Sequence, residues 1–326
     1  MKKCLITGIN GFIGSNLANR LLEEGFDVHG LIRKTSDLKF LKNLNIKYHY
    51  GDITDFESLK EATIGCYRVF HVAALASDWG EYDTFYKINV EGTLNVAKAC
   101  VENNVDRLVY ISTVAMYGFG RLDVKESDEK VITGFPYNDT KKIAEEKLIE
   151  FSKETGLKYT IIKPGNVFGI NDHTFIEKYL DAMHSNKIAF IDKGKRKTCP
   201  TYIENLIDAI IIASNKDEAI NEDFIITDGL DITWKEFTDK FADELGFKRP
   251  KLSVPYKLAY IIGSILEFIY KLLKIKKAPL ITRYRVNNGG LDYTFSIEKA
   301  KKILGFQPKV DFNTSVKRTV NWYKNK

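Results

Sequence analysis

Thr7-Gly8-Ile9-Asn10-Gly11-Phe12-Ile13-Gly14 decides the fold. It stands between an apolar run, Cys4-Leu5-Ile6-Thr7, and a segment, Gly14–Glu24, whose Leu17, Leu21 and Leu22 fall on one helical face. In such a strand–turn–helix unit Gly8 permits the tight turn, Gly11 lets the backbone approach a pyrophosphate, and Gly14 allows close packing of helix on strand. The helix start turns unpaired N–H groups and a partial positive charge toward the phosphates. Gly8, Asn10, Gly11, Phe12, Ile13 and Gly14 thus read as a cradle for a dinucleotide.

Outward from that loop, short β-branched runs alternate with amphipathic segments as far as Pro164. The runs are Lys3–Thr7, Asp27–Ile32, Lys47–Tyr50, Arg68–Val72, Arg107–Ser112 and Lys158–Lys163; Val90–Asn103 is a typical helical segment between them. The pattern predicts an α/β fold, a doubly wound parallel sheet of Rossmann type, with the site at the carboxyl ends of the strands. Beyond Pro164 a loop, Gly165–Thr174, precedes helical runs at Phe175–His184 and Ile203–Ala213, and the chain from about Asp228 is helical with interruptions. We expect a dinucleotide-binding domain over residues 1–165 with a later contribution from about 200–227. Residues 166–199 and 228–326 then form a smaller, mostly helical substrate-binding lid.

Composition narrows the function. The 326 residues are 44% apolar and 28% charged with only 7 prolines, as in a globular protein with a full core. The four cysteines form no C-x-x-C pair and the five histidines no ligand spacing, so neither a disulfide framework nor a metal site is expected. The net charge of +6 comes with no basic block interleaved with aromatics, which excludes a nucleic-acid reader. Met1-Lys2-Lys3 leads straight into a strand without a signal-peptide core, so a cytoplasmic location is expected.

The second strand ends in Arg33-Lys34-Thr35-Ser36 instead of the Asp or Glu that usually accepts from an NAD ribose. Arg33, with Lys34 or Ser36 in support, suits the 2′-phosphate of NADP, because a guanidinium pairs bidentately with phosphate. NADP is therefore favoured over NAD, the other reading being two solvated basic residues in a loop. Asp52 and Ile53 end the third strand where an adenine edge would lie; a plain turn aspartate is the alternative. Tyr137 and Lys141 are four residues apart and share a helix face, while Ser112-Thr113 follow the fifth strand at the same sheet edge. Hydride transfer to a carbonyl needs a proton donor at the developing alkoxide. A cation ~4 Å from a phenol, at an effective dielectric of ~20, is worth about 4 kcal/mol, enough to bring the phenol's pKa from about 10 toward 7. Lys141 would lower Tyr137 in this way, and Thr113, or Ser112, would hold the substrate oxygen.

Together, T-G-x-x-G-x-x-G at Thr7–Gly14, Thr113 four residues before Tyr117-Gly118, and Y-x-x-x-K at Tyr137–Lys141 resemble the extended short-chain dehydrogenase/reductase family, over essentially the whole chain. The resemblance implies that Asn89 is an active-site asparagine, that Ala73 ends the nicotinamide-side strand, and that Lys141 also fixes the nicotinamide ribose. It further implies that Pro164, Asn166 and Val167, in a segment similar to R-P-G-x-x-x-G, line the nicotinamide. Thr113 is followed by Val114-Ala115 where 4,6-dehydratases carry Asp-Glu, and the place of the epimerases' diphosphate-gripping arginine falls near Thr198, with Arg196 close. Both departures disfavour a sugar nucleotide. Ser77-Asp78-Trp79-Gly80, Pro279–Tyr284 and Tyr293–Ala300 are similar instead to the branch holding 3β-hydroxysteroid dehydrogenases and dihydroflavonol-type reductases. The implied activity is hydride transfer between NAD(P) and a hydrophobic secondary alcohol or ketone, steroid- or flavonol-like. An NAD-dependent sugar epimerase and a non-catalytic dinucleotide-binding redox sensor are the alternatives. The resemblance also implies a homodimer, through helices equivalent to Val90–Asn103 and Tyr137–Phe151.

In Tyr256–Lys274 the polar residues Lys257, Ser264, Glu267, Lys271 and Lys274 form one narrow stripe on an otherwise apolar helix. With Lys276 and Lys277 beyond it, residues 256–277 are expected either to touch a membrane surface peripherally or to pack as a buried lid or dimer helix.

Overall fold

The computed structural model describes all 326 residues. The β-branched runs become β1 (Lys3–Thr7), β2 (Asp27–Ile32), β3 (Lys47–Tyr50), β4 (Arg68–His71), β5 (Arg107–Ile111), β6 (Tyr159–Pro164) and β7 (Glu222–Ile226). They form one sheet of seven strands in the order β7-β6-β5-β4-β1-β2-β3, every pairing parallel. The chain leaves β1 toward β2 and β3, then returns to lay β4 along the other side of β1. The ends of β1 and β4 therefore flank the crevice in which such folds bind ligands. The central strands are apolar on both faces because helices cover both. On one side lie α1 (Phe12–Glu23) and a later helix, Ile203–Asn215. On the other lie α2 (Phe56–Thr63), α3 (Gly92–Glu102) and α4 (Pro136–Thr155).

Six strands match their expected positions to within one residue at either end. The seventh, β7, lies outside the expected strands: Glu222-Asp223 opens it, and only pairing with β6 makes it one. The helix expected over Val90–Asn103 divides. A short helix, Tyr82–Phe85, runs into a π-helical turn, Tyr86–Glu91, before α3 begins at Gly92. Such wide turns cluster at functional sites, and this one carries Asn89 into the interior.

The remainder holds α5 (Ile176–His184), α6 (the Ile203–Asn215 helix), α7 (Trp234–Leu245), α8 (Tyr256–Leu272), α9 (Arg283–Gly290) and α10 (Phe312–Lys324). A capping box between Thr233 and Glu236 starts α7, and Gly246 in the left-handed region ends it. Small strand pairs tie this helical part to the sheet layer. Asn166–Phe168, inside the expected loop Gly165–Thr174, pairs with Pro200–Tyr202, and Tyr293–Phe295 pairs with Arg121–Val124. No helix is long and apolar enough to cross a membrane. The polar stripe expected along α8 is divided between the interior and the surface: Glu267 is buried, where its carboxylate meets Arg283, and the outward face is apolar.

Candidate active site

The glycine loop has the geometry its sequence calls for. Gly8 adopts φ +71°, and a Cβ there would lie 2.7 Å from the Ala73 nitrogen. A Cβ on Gly14 would lie 2.2 Å from the Gly8 carbonyl oxygen, so only hydrogen fits where α1 crosses β1. No side chain caps α1, whose N-cap is Gly11, so its first N–H groups face outward with no side-chain acceptor. An absent side chain and exposed donors are what a pyrophosphate requires, and the loop fits a dinucleotide. Beneath it, the Thr7 hydroxyl meets His71 Nδ1 at 2.8 Å, and His71 Nε2 meets the Thr93 hydroxyl at 2.9 Å. Burial lowers the His71 pKa to about 3, keeping the ring neutral, so this chain joins β1, β4 and α3 without a charge.

Around the cradle the other expected cofactor residues take their places at strand ends. Arg33 and Ser36 close a turn after β2, with the Arg33 N–H donating to Ser36 Oγ (3.0 Å) and the Ser36 N–H to the Arg33 carbonyl (2.9 Å). The Arg33 guanidinium is exposed and enters no ion pair within the chain. Asp52 forms an Asx turn, one carboxylate oxygen accepting from the N–H (2.9 Å) and hydroxyl (2.8 Å) of Thr54, while Ile53 is buried beneath α3. Pro164 ends β6, and the Asn166 amide donates to Thr198 Oγ1 (3.1 Å) and Asn288 Oδ1 (3.4 Å), joining the sheet edge to α9. Val167 pairs with Thr201 in the adjoining strand pair.

At the end of β5 Tyr137 lies against the Thr113 hydroxyl, and Lys141, one turn further along α4, reaches the Ile111 carbonyl. Proline at the first position of α4 presets its opening turn, which carries Tyr137 toward the Thr113 hydroxyl. Thr113 Oγ1 accepts from the Ala115 N–H (3.1 Å), which leaves its own proton to donate. Ser112 is committed elsewhere, donating to Glu145 Oε2 at 2.8 Å, so of the two residues only Thr113 is available to a substrate oxygen. Asn89 does not cap a helix. Its Oδ1 accepts from the Leu75 N–H (2.8 Å) and its Nδ2 donates to Thr140 Oγ1 (3.1 Å), tying the loop after β4 to α4.

The expected lowering of the Tyr137 phenol by Lys141 is reversed. Burial of the hydroxyl holds the Tyr137 pKa above its ordinary value, against a smaller opposing effect from Thr113. Lys141 instead bears the cost: desolvation brings its pKa from 10.5 down to about 7, with Glu145 pulling the other way. Its Nζ donates to the Ile111 carbonyl (2.6 Å) and lies 4.1 Å from the centre of the Tyr110 ring.

Two further groups of residues complete the site. Glu145, one turn beyond Lys141 and wholly buried, accepts from Lys130 (2.6 Å) and pairs with Lys163 (2.9 Å). Lys163 also meets Asp223 and donates to the Tyr117 hydroxyl (3.1 Å). Burial alone would lower Lys163, but Glu145 and Asp223 outweigh it and hold the ammonium charged. Glu145 was visible as an i+4 neighbour of Lys141, whereas Asp223 lies 60 residues from Lys163 and leaves no local signal. The second group is aromatic. Phe119 lies 6.1 Å from Phe135, 5.3 Å from Tyr284 and 5.0 Å from Tyr293 between ring centres. Tyr284 is close enough to Tyr137 that, besides burial, the Tyr137 phenol helps to hold the Tyr284 pKa up.

A parallel sheet carrying a glycine cradle at its crossover, with Thr, Tyr and Lys grouped beside it, defines a nicotinamide-dinucleotide oxidoreductase. The chain matches the NAD dependent epimerase/dehydratase family over residues 4–227, and it belongs to that family, within the extended short-chain dehydrogenases/reductases. It is an NAD(P)-dependent dehydrogenase or reductase of that type. A 2-alkyl-3-oxoalkanoate reductase of Stenotrophomonas maltophilia (strain K279a) is 28% identical over 331 residues, covering 97% of this chain and 98% of its own length. The decarboxylating sterol-4-alpha-carboxylate 3-dehydrogenase of Mus musculus is 28% identical over 336 residues, covering 98% and 90%. Among solved structures, a dTDP-glucose 4,6-dehydratase from Streptomyces venezuelae with NAD bound superimposes with a TM-score of 0.82 at 22% identity, over 99% of this chain and 97% of that one.

Proposed function

We propose that this protein transfers a hydride between a nicotinamide and a hydrophobic secondary alcohol or ketone, with Tyr137, Thr113 and Lys141 as the catalytic residues and Asn89 positioning them. The observation that carries this reading is the aromatic cluster of Phe119, Phe135, Tyr284 and Tyr293, whose Tyr284 and Tyr293 phenols lie close enough to Tyr137 to feel its charge; an apolar surface there suits an apolar body attached to the reacting carbon. The curated relatives named above, a 3-oxoalkanoate reductase and a sterol dehydrogenase, act on such molecules by name and support it. Against a sugar nucleotide, the one arginine near the expected diphosphate position, Arg196, already has a carboxylate partner in Asp292 (3.3 Å).

The hydride is what a nicotinamide supplies when bound. Tyr137, kept protonated by burial, delivers a proton from its hydroxyl to the substrate oxygen in the reductive direction. Thr113 donates its free hydroxyl to the same oxygen and fixes its orientation. Lys141, one turn along α4 from Tyr137 and with a pKa near neutrality, is charged at or below about pH 7, where its charge would offset the negative charge that develops on Tyr137. In this reading residues 1–165 with 200–227 hold the dinucleotide, Arg33 and Ser36 select NADP, and 166–199 with 228–326 hold the substrate. The chain acts as a homodimer in the cytoplasm, with residues 256–277 in peripheral contact with a membrane.

Tyr137→Phe tests the assignment. Turnover of apolar ketones, ketosteroids among them, should fall at least ~10²-fold, the usual worth of a positioned proton donor, while the NADPH Kd from nicotinamide fluorescence stays within error. Retained turnover defeats the assignment. Isomerised product without net cofactor oxidation would move the protein to the epimerases.

A further inference from the structure

The outward face of α8 has no partner within the chain. Leu258, Ile261, Ile265, Phe268 and Leu272 repeat at alternating steps of three and four, and all five are at least half exposed, Phe268 at 67% and Leu272 at 70%. Ile269 stands beside that stripe, and Leu273, Ile275 and the 85%-exposed Leu280 continue the apolar surface past the helix end. The opposite face, with Ala259, Gly263 and Glu267, packs inward, and the backbone of Thr282 and Arg283 approaches Gly263. Monomers rarely expose an apolar patch of this length unless it meets a partner.

Charge decides which partner. Lys257 and Lys271 flank the apolar stripe along one edge, and Lys274, Lys276 and Lys277 crowd its end, all exposed. The only carboxylate in residues 256–277 is Glu267, which is buried and paired with Arg283 (2.8 Å). A face with five exposed lysines at its margin and no exposed acid suits an anionic surface that is apolar beneath: a bilayer bearing acidic headgroups. A second copy of the chain would bring five more lysines against these.

We propose that α8 and the segment Leu273–Lys277 lie flat in the surface of an anionic bilayer, and that an apolar substrate enters the site from that surface. The second clause rests on the hydrophobic substrate proposed above. The route is short. The Trp79 indole N–H donates to the Ile275 carbonyl (3.1 Å), Trp79 meets Tyr270 edge-on at 6.3 Å, and Lys271 lies over the Trp79 ring. Trp79 belongs to the loop that leaves β4, which Asn89 fastens next to α4 and Tyr137. The docking face thus borders the rim of the catalytic crevice.

Flotation of the full-length protein with vesicles of phosphatidylcholine alone, and of phosphatidylcholine with phosphatidylserine, tests the docking. Binding should be at least ~10-fold stronger to the phosphatidylserine vesicles, as a few surface lysines allow, and weaker at high salt. Lys271→Glu with Lys274→Glu should remove that preference. Phe268→Ser with Leu272→Ser, both at exposed positions and checked for folding by circular dichroism, should abolish flotation. The same double variant should keep turnover of a short water-soluble ketone and lose most of its turnover of an apolar ketone held in vesicles. No flotation of the wild type, or flotation unchanged in the serine variant, overturns the docking. So does a wild-type dimer that the serine variant converts to monomer without any vesicle binding. If vesicles bind but no ketone is turned over, the docking stands and the proposed function falls.

Discussion

Lys141 shows at a single residue how this site sets chemistry against stability. Its pKa falls from 10.5 in the unfolded chain to about 7 in the folded protein. Between those values the unfolded state binds a proton that the folded state does not, so the contribution to stability is complete above 10.5 and is lost as the pH falls to 7. Lys141→Met removes this titration. It should be more stable than the wild type near pH 7, and its advantage should shrink by roughly 1 kcal/mol per pH unit toward about pH 9. Chemical denaturation of both proteins across that range checks it, and an advantage independent of pH would mean that the buried lysine ionises normally. Arg33 is the opposite case, exposed and unpaired within the chain. Arg33→Ala should weaken NADPH by about tenfold, corresponding to one charge-assisted hydrogen bond of roughly 1.5 kcal/mol, and leave NADH unchanged. Fluorescence titration with both nucleotides reads this directly, and equal losses for the two would remove Arg33 from the site.

Between elements, the crossing of β1 and α1 is the tightest constraint. Gly14→Ala would press a methyl group against the Gly8 carbonyl, a main-chain atom with no rotamer to yield. It should cost about 3 kcal/mol and with it most dinucleotide affinity. Gly25→Ala offers the contrast: its φ is +79° but nothing lies within 4 Å of a Cβ there, so only the strained backbone counts, roughly 1 kcal/mol, with binding intact. Thermal melts with and without dinucleotide separate the two outcomes. This element was legible because a glycine spacing, an apolar strand and an amphipathic helix are all local patterns. The π-helical turn at Tyr86–Glu91 was not, since Asn89 is drawn inward by Leu75 and Thr140, and Thr140 lies 51 residues away. The face that α8 turns inward was equally hidden: periodicity located Glu267 on a stripe, but only Arg283 determines that the stripe is partly buried.

At the largest scale, the C-terminal helical part is strapped to the sheet layer through Asp78. Its carboxylate pairs with Arg285 (2.7 Å) and accepts from the Thr282 hydroxyl (2.7 Å), so one loop after β4 carries the start of α9. Asp78→Ala should loosen that attachment by about 1 kcal/mol, the worth of a partly exposed pair. Steady-state kinetics should show a KM for the ketone raised roughly fivefold and an unchanged NADPH Kd; a change confined to the dinucleotide would place Asp78 in the cofactor site. The ion network of Glu145, Lys163 and Asp223 spans the same scale, joining α4, β6 and β7.

The parallel α/β architecture, the glycine loop and the place of Thr113 and Tyr137 at one sheet edge are legible in the chain alone, since each is written in spacings of at most a few turns or in the order of strands. The tertiary structure decided what those residues experience. Burial raises Tyr137 and lowers Lys141, Glu145 takes Ser112 out of reach of a substrate, the aromatic wall assembles from Phe119 to Tyr293, and α8 presents its apolar face to solvent. Desolvation and partner choice depend on atoms brought together from distant parts of the chain, and no local pattern records them.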